Sequence, residues 1–365
     1  MGISNEAKVK EERIHHLLGQ RGYDSLLVVR RENFAWLSCG GRAVTSYVVE
    51  NAPVYLLVTP TRKYAIGYCM DVPRTFDEEL AGQGYEPVAL PTFGKTPDQA
   101  ALELATGRLA ADCAIAGLDN LGPAVTALHE PLLSEEMERY RAAGKEAGEL
   151  IHDLASWVRP GMSERQVLGH MWGLYAEHNF DGDCMFVVSD ERIRRYRHAV
   201  PSNKVIERVV ILAPATYKYG LHFPVSRVVY FGQPTKDERR RHLAASSIQA
   251  AMVASAKPGM HLTTMRQTCL DLFDQLGFPE EKTNHMHGGP TGYRVSYPER
   301  CQDPNEMVKP GMALGWYITL AGAKSEEVTL VDEQGGQLIT VDPTWPMLEI
   351  EYQGQKVVVP DVLLQ

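Results

Sequence analysis

Two stretches of this chain repeat one another. "VRPGMSERQVLGHMWGLYAEHNF" begins at Val158 and "AKPGMHLTTMRQTCLDLFDQLGF" at Ala256, an offset of 98 residues. Both carry a basic residue, Pro-Gly-Met, a polar helix-capping position, an amphipathic run and a closing Phe. A third Lys-Pro-Gly-Met, at Lys309, leads straight into the apolar run "ALGWYITLAG" and is a turn outside the repeat. Similarity that persists through a whole helix is more than a shared turn, and a period this long marks half of a domain rather than one solenoid unit. The second part of the chain therefore reads as two related halves, each a pair of helices followed by strands.

A chain of 365 residues is too long for one core. Upstream of the repeat, helical and strand-like segments alternate, as in an α/β domain. Ile14, Leu17 and Leu18 form one face of a helix over residues 8–20. "GYDSLLVVRRENFAWLSCGG" then gives a strand, a helix start and a glycine turn, and "APVYLLVTPTRKYAIGY" gives a hairpin. Short strands are expected at "YEPVAL" and "AIAGLDN", and a long helix from an N-cap at Ser134 toward Pro160-Gly161. The expected class is α+β, with an N-terminal α/β domain over residues 1–133 and a pseudo-twofold C-terminal domain over 134–365.

Net charge is −9, and the basic runs "RIRRYRH" and "ERRRH" read as solvated surface, so no nucleic-acid partner is expected. The six cysteines form no CxxC pair, which argues against a zinc knuckle and for a reducing, cytoplasmic setting. The N-terminal stretch lacks a signal-peptide core, and Glu6 stands where a myristoylation pattern wants Ser or Thr. No apolar run approaches the ~20 residues of a membrane span, so no membrane association is expected.

Two pseudo-symmetric halves behind a smaller α/β domain resemble the creatinase/aminopeptidase P family, whose catalytic domain is the pita-bread fold. "NFAWLSCGG" (Asn33–Gly41) resembles that family's N-domain segment of Asn, aromatic pair and glycine turn. "RHAVPSNKVIERVVIL" (Arg197–Leu212) resembles its His-x-x-Pro-Ser/Thr segment, and "GAKSEEVTLVDEQGGQLIT" (Gly322–Thr340) its closing hairpin. The resemblance covers nearly the whole chain. It implies the pita-bread fold and a homodimer in which the N-domain of one chain reaches the catalytic domain of the other.

In metal-bearing members two Asp, one His and two Glu hold a pair of divalent ions, which lower the pKa of a bridging water. Carried over position by position, the first Asp falls on Ala213, the second on Pro224, the His near Gly289 and the first Glu on Tyr317; only the last Glu survives, as Glu326. "ILAPATYKYGLHFPVSRVVYFG" (Ile211–Gly232), the hairpin at the floor of such a site, contains no carboxylate. The resemblance therefore implies no metal and no other cofactor. A single zinc on His285, His287 and Glu326 is the one alternative ligand set.

Creatinase is the family's precedent for a site without metal, and His198 stands at the position of its proton-shuttling histidine. A neutral imidazole can take a proton from water and return it to a leaving amine. Glu326 is expected to grip a cationic group, and His287 and Tyr317 stand at or near former ligand positions. His222, on the same strand face as Pro224, is a candidate for substrate contact, as are Tyr293 in "GGPTGY", Phe34 and Arg42. The expected function is metal-independent cleavage or rearrangement of a C–N bond in a small amidino, ureido or cyclic amidine compound. The alternatives are an Xaa-Pro aminopeptidase-like metallopeptidase, a natural-product lyase or cyclase, and a non-catalytic peptide-binding domain.

Overall fold

Ile14, Leu17 and Leu18, the expected apolar stripe, are buried along α1 (Asn5–Arg21). Ser4 caps that helix by accepting from the Ala7 N–H at 3.2 Å, and Gly22, at φ 72°, ends it in the left-handed region that glycine adopts without a Cβ clash. The computed structural model describes residues 3–365. They fall into two units, split after Glu135.

In the N-terminal unit the strands are β1 (Ser25–Arg30), β2 (Asn51–Val58), β3 (Lys63–Tyr68), β4 (Tyr85–Leu90), β5 (Leu109–Ala111) and β6 (Asp119–Asn120). They form one mixed sheet in the order β4-β3-β2-β1-β5-β6, with α1, α2 (Arg31–Leu37), α3 (Val72–Thr75), α4 (Pro97–Leu104) and α5 (Gly122–Ala127) alongside in sequence. The strand expected over "AIAGLDN" shrinks to Asp119–Asn120, because the chain turns at Gly117, at φ 81°. The Asn33 segment is core. Asn33 donates to Asp112 Oδ2 at 2.8 Å, and Phe34 is fully buried.

The second unit opens on α6 (Ser134–Trp157), in which Ser134 is already helical. Gly144 and Gly148, one turn apart, let α6 lie directly on the backbone at Ile339 and Thr340. A Cβ on Gly148 would stand 2.6 Å from the Thr340 carbonyl oxygen. Gly148→Ala is therefore expected to cost about 1–3 kcal/mol, the range for overpacking, read from the urea midpoint at unchanged m-value.

The two repeats are α7 (Glu164–Glu177), followed by β7 (Asp181–Ser189), and α10 (Leu262–Gln275), followed by β11 (Gly288–Thr291). Between them come α8 (Glu191–Arg195), the hairpin β8 (Val209–Lys218) and β9 (Leu221–Pro224), β10 (Arg227–Tyr230) and α9 (Lys236–Ser255). The hairpin turns at Tyr219 and Gly220, both at positive φ. After β11 come β12 (Ala313–Leu320), β13 (Ala323–Asp332), β14 (Gly335–Leu338), the hairpin β15 (Met347–Tyr352) and β16 (Gln355–Pro360), and β17 (Leu363–Leu364). The first half's sheet runs β17-β10-β8-β7 with β9 on β8, and the second half's runs β11-β12-β13-β14. They meet where the Ser226 N–H donates to the Glu326 carbonyl at 3.0 Å. Among the described residues no helix is long and apolar enough to cross a membrane.

Candidate active site

The loop that carries His198 is held by a buried carboxylate. Glu164, at the start of α7, has no solvent exposure. It accepts from Ser189 N (2.9 Å) and Oγ (3.0 Å) and from Ser202 N and Oγ (both 2.9 Å), and pairs with Arg192. A second carboxylate, Glu281, ties that loop to the other half. It pairs with Arg197, accepts from Asn284 Nδ2 at 3.1 Å, and accepts from the Ala321 N–H at 2.8 Å. His198 and His285 follow these anchors closely in sequence, and their Nε2 atoms stand 3.1 Å apart.

His198 stacks on Phe186, with ring centroids 5.2 Å apart and planes within 5°. Phe186 pairs across β7–β8 with Ala213, and Cys184 pairs with Ala215. The floor beneath the His198 imidazole is thus apolar. Ala213 is buried in a cluster with Ile193, Ala199, Ile211 and Val228. Pro224 lies opposite Ala215 and faces Gly315 of β12, where an added Cβ would meet Pro224 Cγ at 3.2 Å.

The wall comes from β12 and β13. Tyr317 stands opposite Glu326 in the ladder, its ring 6.0 Å from that of His285. Its hydroxyl donates to the Val295 carbonyl at 3.3 Å. Burial pushes the Tyr317 phenol up, so it remains a proton donor at neutral pH. Lys324 precedes Glu326 by two residues and shares its strand face. Its Nζ lies 3.2 Å from Glu326 Oε2, with both side chains buried.

Burial and the Lys324 charge together lower the basicity of both imidazoles. His198 is held below the ordinary histidine value, and His285 is pushed down to about 3, with His198, His287 and Arg197 adding to the effect. Both rings are neutral at pH 7. Burial raises the Glu326 carboxyl, against the pull of Lys324. Burial also pushes the Cys184 thiol up to about 11, with Asp183 and Glu326 contributing, so it is not a thiolate nucleophile.

The other expected residues lie elsewhere or are otherwise engaged. His287 adopts φ 62° and turns away from the dyad. Its ring packs on Phe273 with centroids 4.6 Å apart, and its Nε2 donates to the Lys282 carbonyl at 3.0 Å. What it gives the site is its backbone N–H, which donates to His285 Nδ1 at 3.4 Å. His222 donates from Nδ1 to the Gly292 carbonyl at 3.1 Å, with Nε2 3.7 Å from Asp183 Oδ2. Tyr293 is 1% exposed and donates its hydroxyl to Glu136 at 2.5 Å, which spends the group on the core. Phe34 is core of the N-terminal unit. Arg42, exposed in the same unit, points Nη2 at the Tyr47 hydroxyl, 3.4 Å away. Lys324 and the choice of His285 over His287 escaped the sequence reading, although the two-residue spacing to Glu326 was a signal for Lys324.

Directly behind Glu326, on the opposite face of β13, Glu327 pairs with Arg227, which is fully buried. Arg227 also donates to the Ser226 (2.7 Å) and Thr340 (3.0 Å) carbonyls, and the Thr340 hydroxyl donates to Glu327 at 2.6 Å. This network fixes β10 to β13 at the seam between the two sheets.

Two divalent ions need a set of hard oxygen and imidazole donors. Ala213 and Pro224 offer no side-chain donor, Tyr317 is a protonated phenol, and Glu326 already has an ammonium partner. His285 and His287 point apart, with ring centroids 6.2 Å from one another. Among the described residues no group of three or more His, Cys, Asp or Glu is placed to hold a metal ion. These residues fit neither a dinuclear centre nor the single-zinc alternative.

The chain is similar to several known proteins. It is 22% identical over 360 residues to the uncharacterized peptidase YqhT of Bacillus subtilis, covering 92% of this chain and 98% of that one. The prolidase of Pyrococcus horikoshii superposes with a TM-score of 0.76 at 16% identity, covering 92% of this chain and 99% of that one. The Xaa-Pro dipeptidase of Bacillus anthracis superposes with a TM-score of 0.73 at 18% identity, covering 98% of this chain and all of that one. At these identities the solved structures establish the α+β pita-bread architecture and nothing about substrate. Residues 138–333 match metallopeptidase family M24, more than half of the chain, and by that match the protein belongs to metallopeptidase family M24.

Proposed function

We propose that this M24 protein is a hydrolytic or lytic enzyme that breaks or rearranges a C–N bond in a small polar molecule by side-chain acid–base chemistry centred on His198. The observation that carries the reading is the contact of two neutral imidazoles, His198 and His285, over a floor whose family ligand positions are Ala213 and Pro224. A base must be unprotonated to act, and partial desolvation together with the Lys324 charge keeps His198 so at pH 7. It takes the proton of the attacking group. As the imidazolium it returns that proton to the leaving nitrogen, with His285 set against it within hydrogen-bond reach and Tyr317 adding a fixed protonated hydroxyl beside the ring of His285.

The cationic amidino substrate expected from the sequence loses its support here. Glu326, which was to hold it, is neutralised by Lys324. A peptide-like or acyl-amino C–N bond suits the site better and agrees with family membership. The competing reading, a metal-dependent Xaa-Pro peptidase like those the solved relatives are named for, shares that bond but needs donors that Ala213, Pro224 and Tyr317 do not provide. Elemental analysis after mild purification is expected to return no stoichiometric manganese, cobalt, iron or zinc. One or more tightly held ions per chain, removed by chelator with loss of activity, would overturn the proposal in favour of the metallopeptidase.

A further inference from the structure

The site has lost carboxylates and gained a buried cation. Lys324 is 8% exposed and Glu326 7%, so the ammonium sits inside the fold at 3.2 Å from a carboxylate oxygen. Burying an ammonium is costly unless it is compensated, and a single carboxylate leaves two of its three N–H donors to other partners. No other ion pair of Lys324 is formed among the described residues. In the ladder it stands opposite Thr319, two residues from Tyr317 on the same strand face, and the Tyr317 ring is 6.0 Å from that of His285, so its charge lies within reach of the dyad. No second carboxylate joins that group. Asp183 is turned to His222, and Glu281 and Glu327 are each taken by an arginine.

From this juxtaposition we propose that Lys324 is an anion-binding residue, and that the molecule bound beside His198 carries a carboxylate or an equivalent anionic group held by its ammonium. The proposal rests on the reading of the His198 surroundings as a small-molecule site and gives that molecule its chemical class. Glu326 then acts as a positioning residue. It holds the ammonium in place and leaves its remaining N–H groups for the ligand. In a family built around divalent cations, the positive charge here would come from a side chain.

Three small probes separate the possibilities: N-acetylglycine, its neutral amide N-acetylglycinamide, and methylguanidinium. Binding is followed by the ring signals of His198 and His285 in NMR and by calorimetry, neither of which needs turnover. The expected result is that N-acetylglycine shifts both histidines and binds at least about tenfold more tightly than the amide, as an added charge-assisted contact requires, with methylguanidinium weakest. Lys324→Gln removes the preference and Lys324→Arg keeps it. The double variant Lys324→Gln/Glu326→Gln, which leaves no unpaired buried charge, guards against loss through misfolding. Absence of N-acetylglycine binding, equal binding of the amide, tighter binding of methylguanidinium, or a preference that survives Lys324→Gln each overturns the assignment. His198→Ala distinguishes the two proposals. If it abolishes turnover while the carboxylate preference persists, both stand. If it is fully active with the preference intact, only the acid–base reading fails.

Discussion

His198→Ala is expected to lower kcat by roughly 10²–10⁴-fold, the usual share of general acid–base catalysis, while the unfolding transition stays where it is. The stability part of this expectation follows from exposure. His198 is only partly covered, by the Phe186 ring, and otherwise exposed, and its loop is secured by Glu164, Ser202 and Arg197 rather than by the imidazole. The pH profile carries a second test. Because burial and Lys324 depress the His198 pKa, the base form is complete at neutral pH, and the rate is expected to fall only as pH drops below the ordinary histidine range near 6.5. His285, pushed down to about 3, adds a stability effect of the same sign. The unfolded chain binds its proton at higher pH than the folded one, so this contribution to stability is lost as pH falls from about 6.5 toward 3. A His198→Ala enzyme with full activity would move the chemistry to His285 or Tyr317.

Arg227→Met is expected to destabilise the protein by about 3–5 kcal/mol, the range for breaking a buried ion pair from one side. The substitution strands Glu327, which is 1% exposed and among the described residues keeps the Thr340 hydroxyl as a partner. Replacing both, as Arg227→Met with Glu327→Leu, is expected to recover much of the loss, since two well-packed apolar side chains carry no desolvation penalty. Denaturant unfolding of the two single variants and the double gives the coupling energy directly. A single variant that loses less than about 1 kcal/mol would show that the seam between the sheets is held by packing instead.

Much of the architecture was legible because it is written in local pattern. The repeat at Val158 and Ala256 announced α7 and α10, and the apolar runs on either side of Tyr219-Gly220 announced β8 and β9. The site was legible where the family resemblance marked positions, at His198, Tyr317 and Glu326, and strand alternation explains how two of them meet. Glu326 and Tyr317 face one another because they are cross-strand partners, and Lys324 joins them by the same period of two. His287 stands near a former ligand position, but at φ 62° its ring packs on Phe273 and bonds the Lys282 carbonyl, and that dihedral has no signature in His-Met-His-Gly-Gly. Tyr293 and Phe34 are aromatics near glycine turns in the sequence. Burial decided their roles, and burial depends on distant segments such as Glu136. Glu164 and Glu281 were invisible for the same reason, since each gathers loops far apart in the chain.

The contact between the two imidazoles also has a direction. His285 Nδ1 accepts the His287 backbone N–H at 3.4 Å, so a neutral His285 carries its own hydrogen on Nε2. That hydrogen points at His198 Nε2, 3.1 Å away, which must accept and therefore leaves the His198 hydrogen on Nδ1. The tautomers, assigned from this hydrogen-bond geometry, place the lone pair of the working base under the hydrogen of its neighbour. On the proposed role of His198 the resting protein is thus latched, with His285 lying over the very atom that would accept a proton. On that reading an incoming molecule lifts the ring before chemistry begins, so the base acting in the complex differs in its surroundings from the base titrating in the empty protein. The profiles of kcat/KM and kcat against pH should then report two different acidities for one histidine.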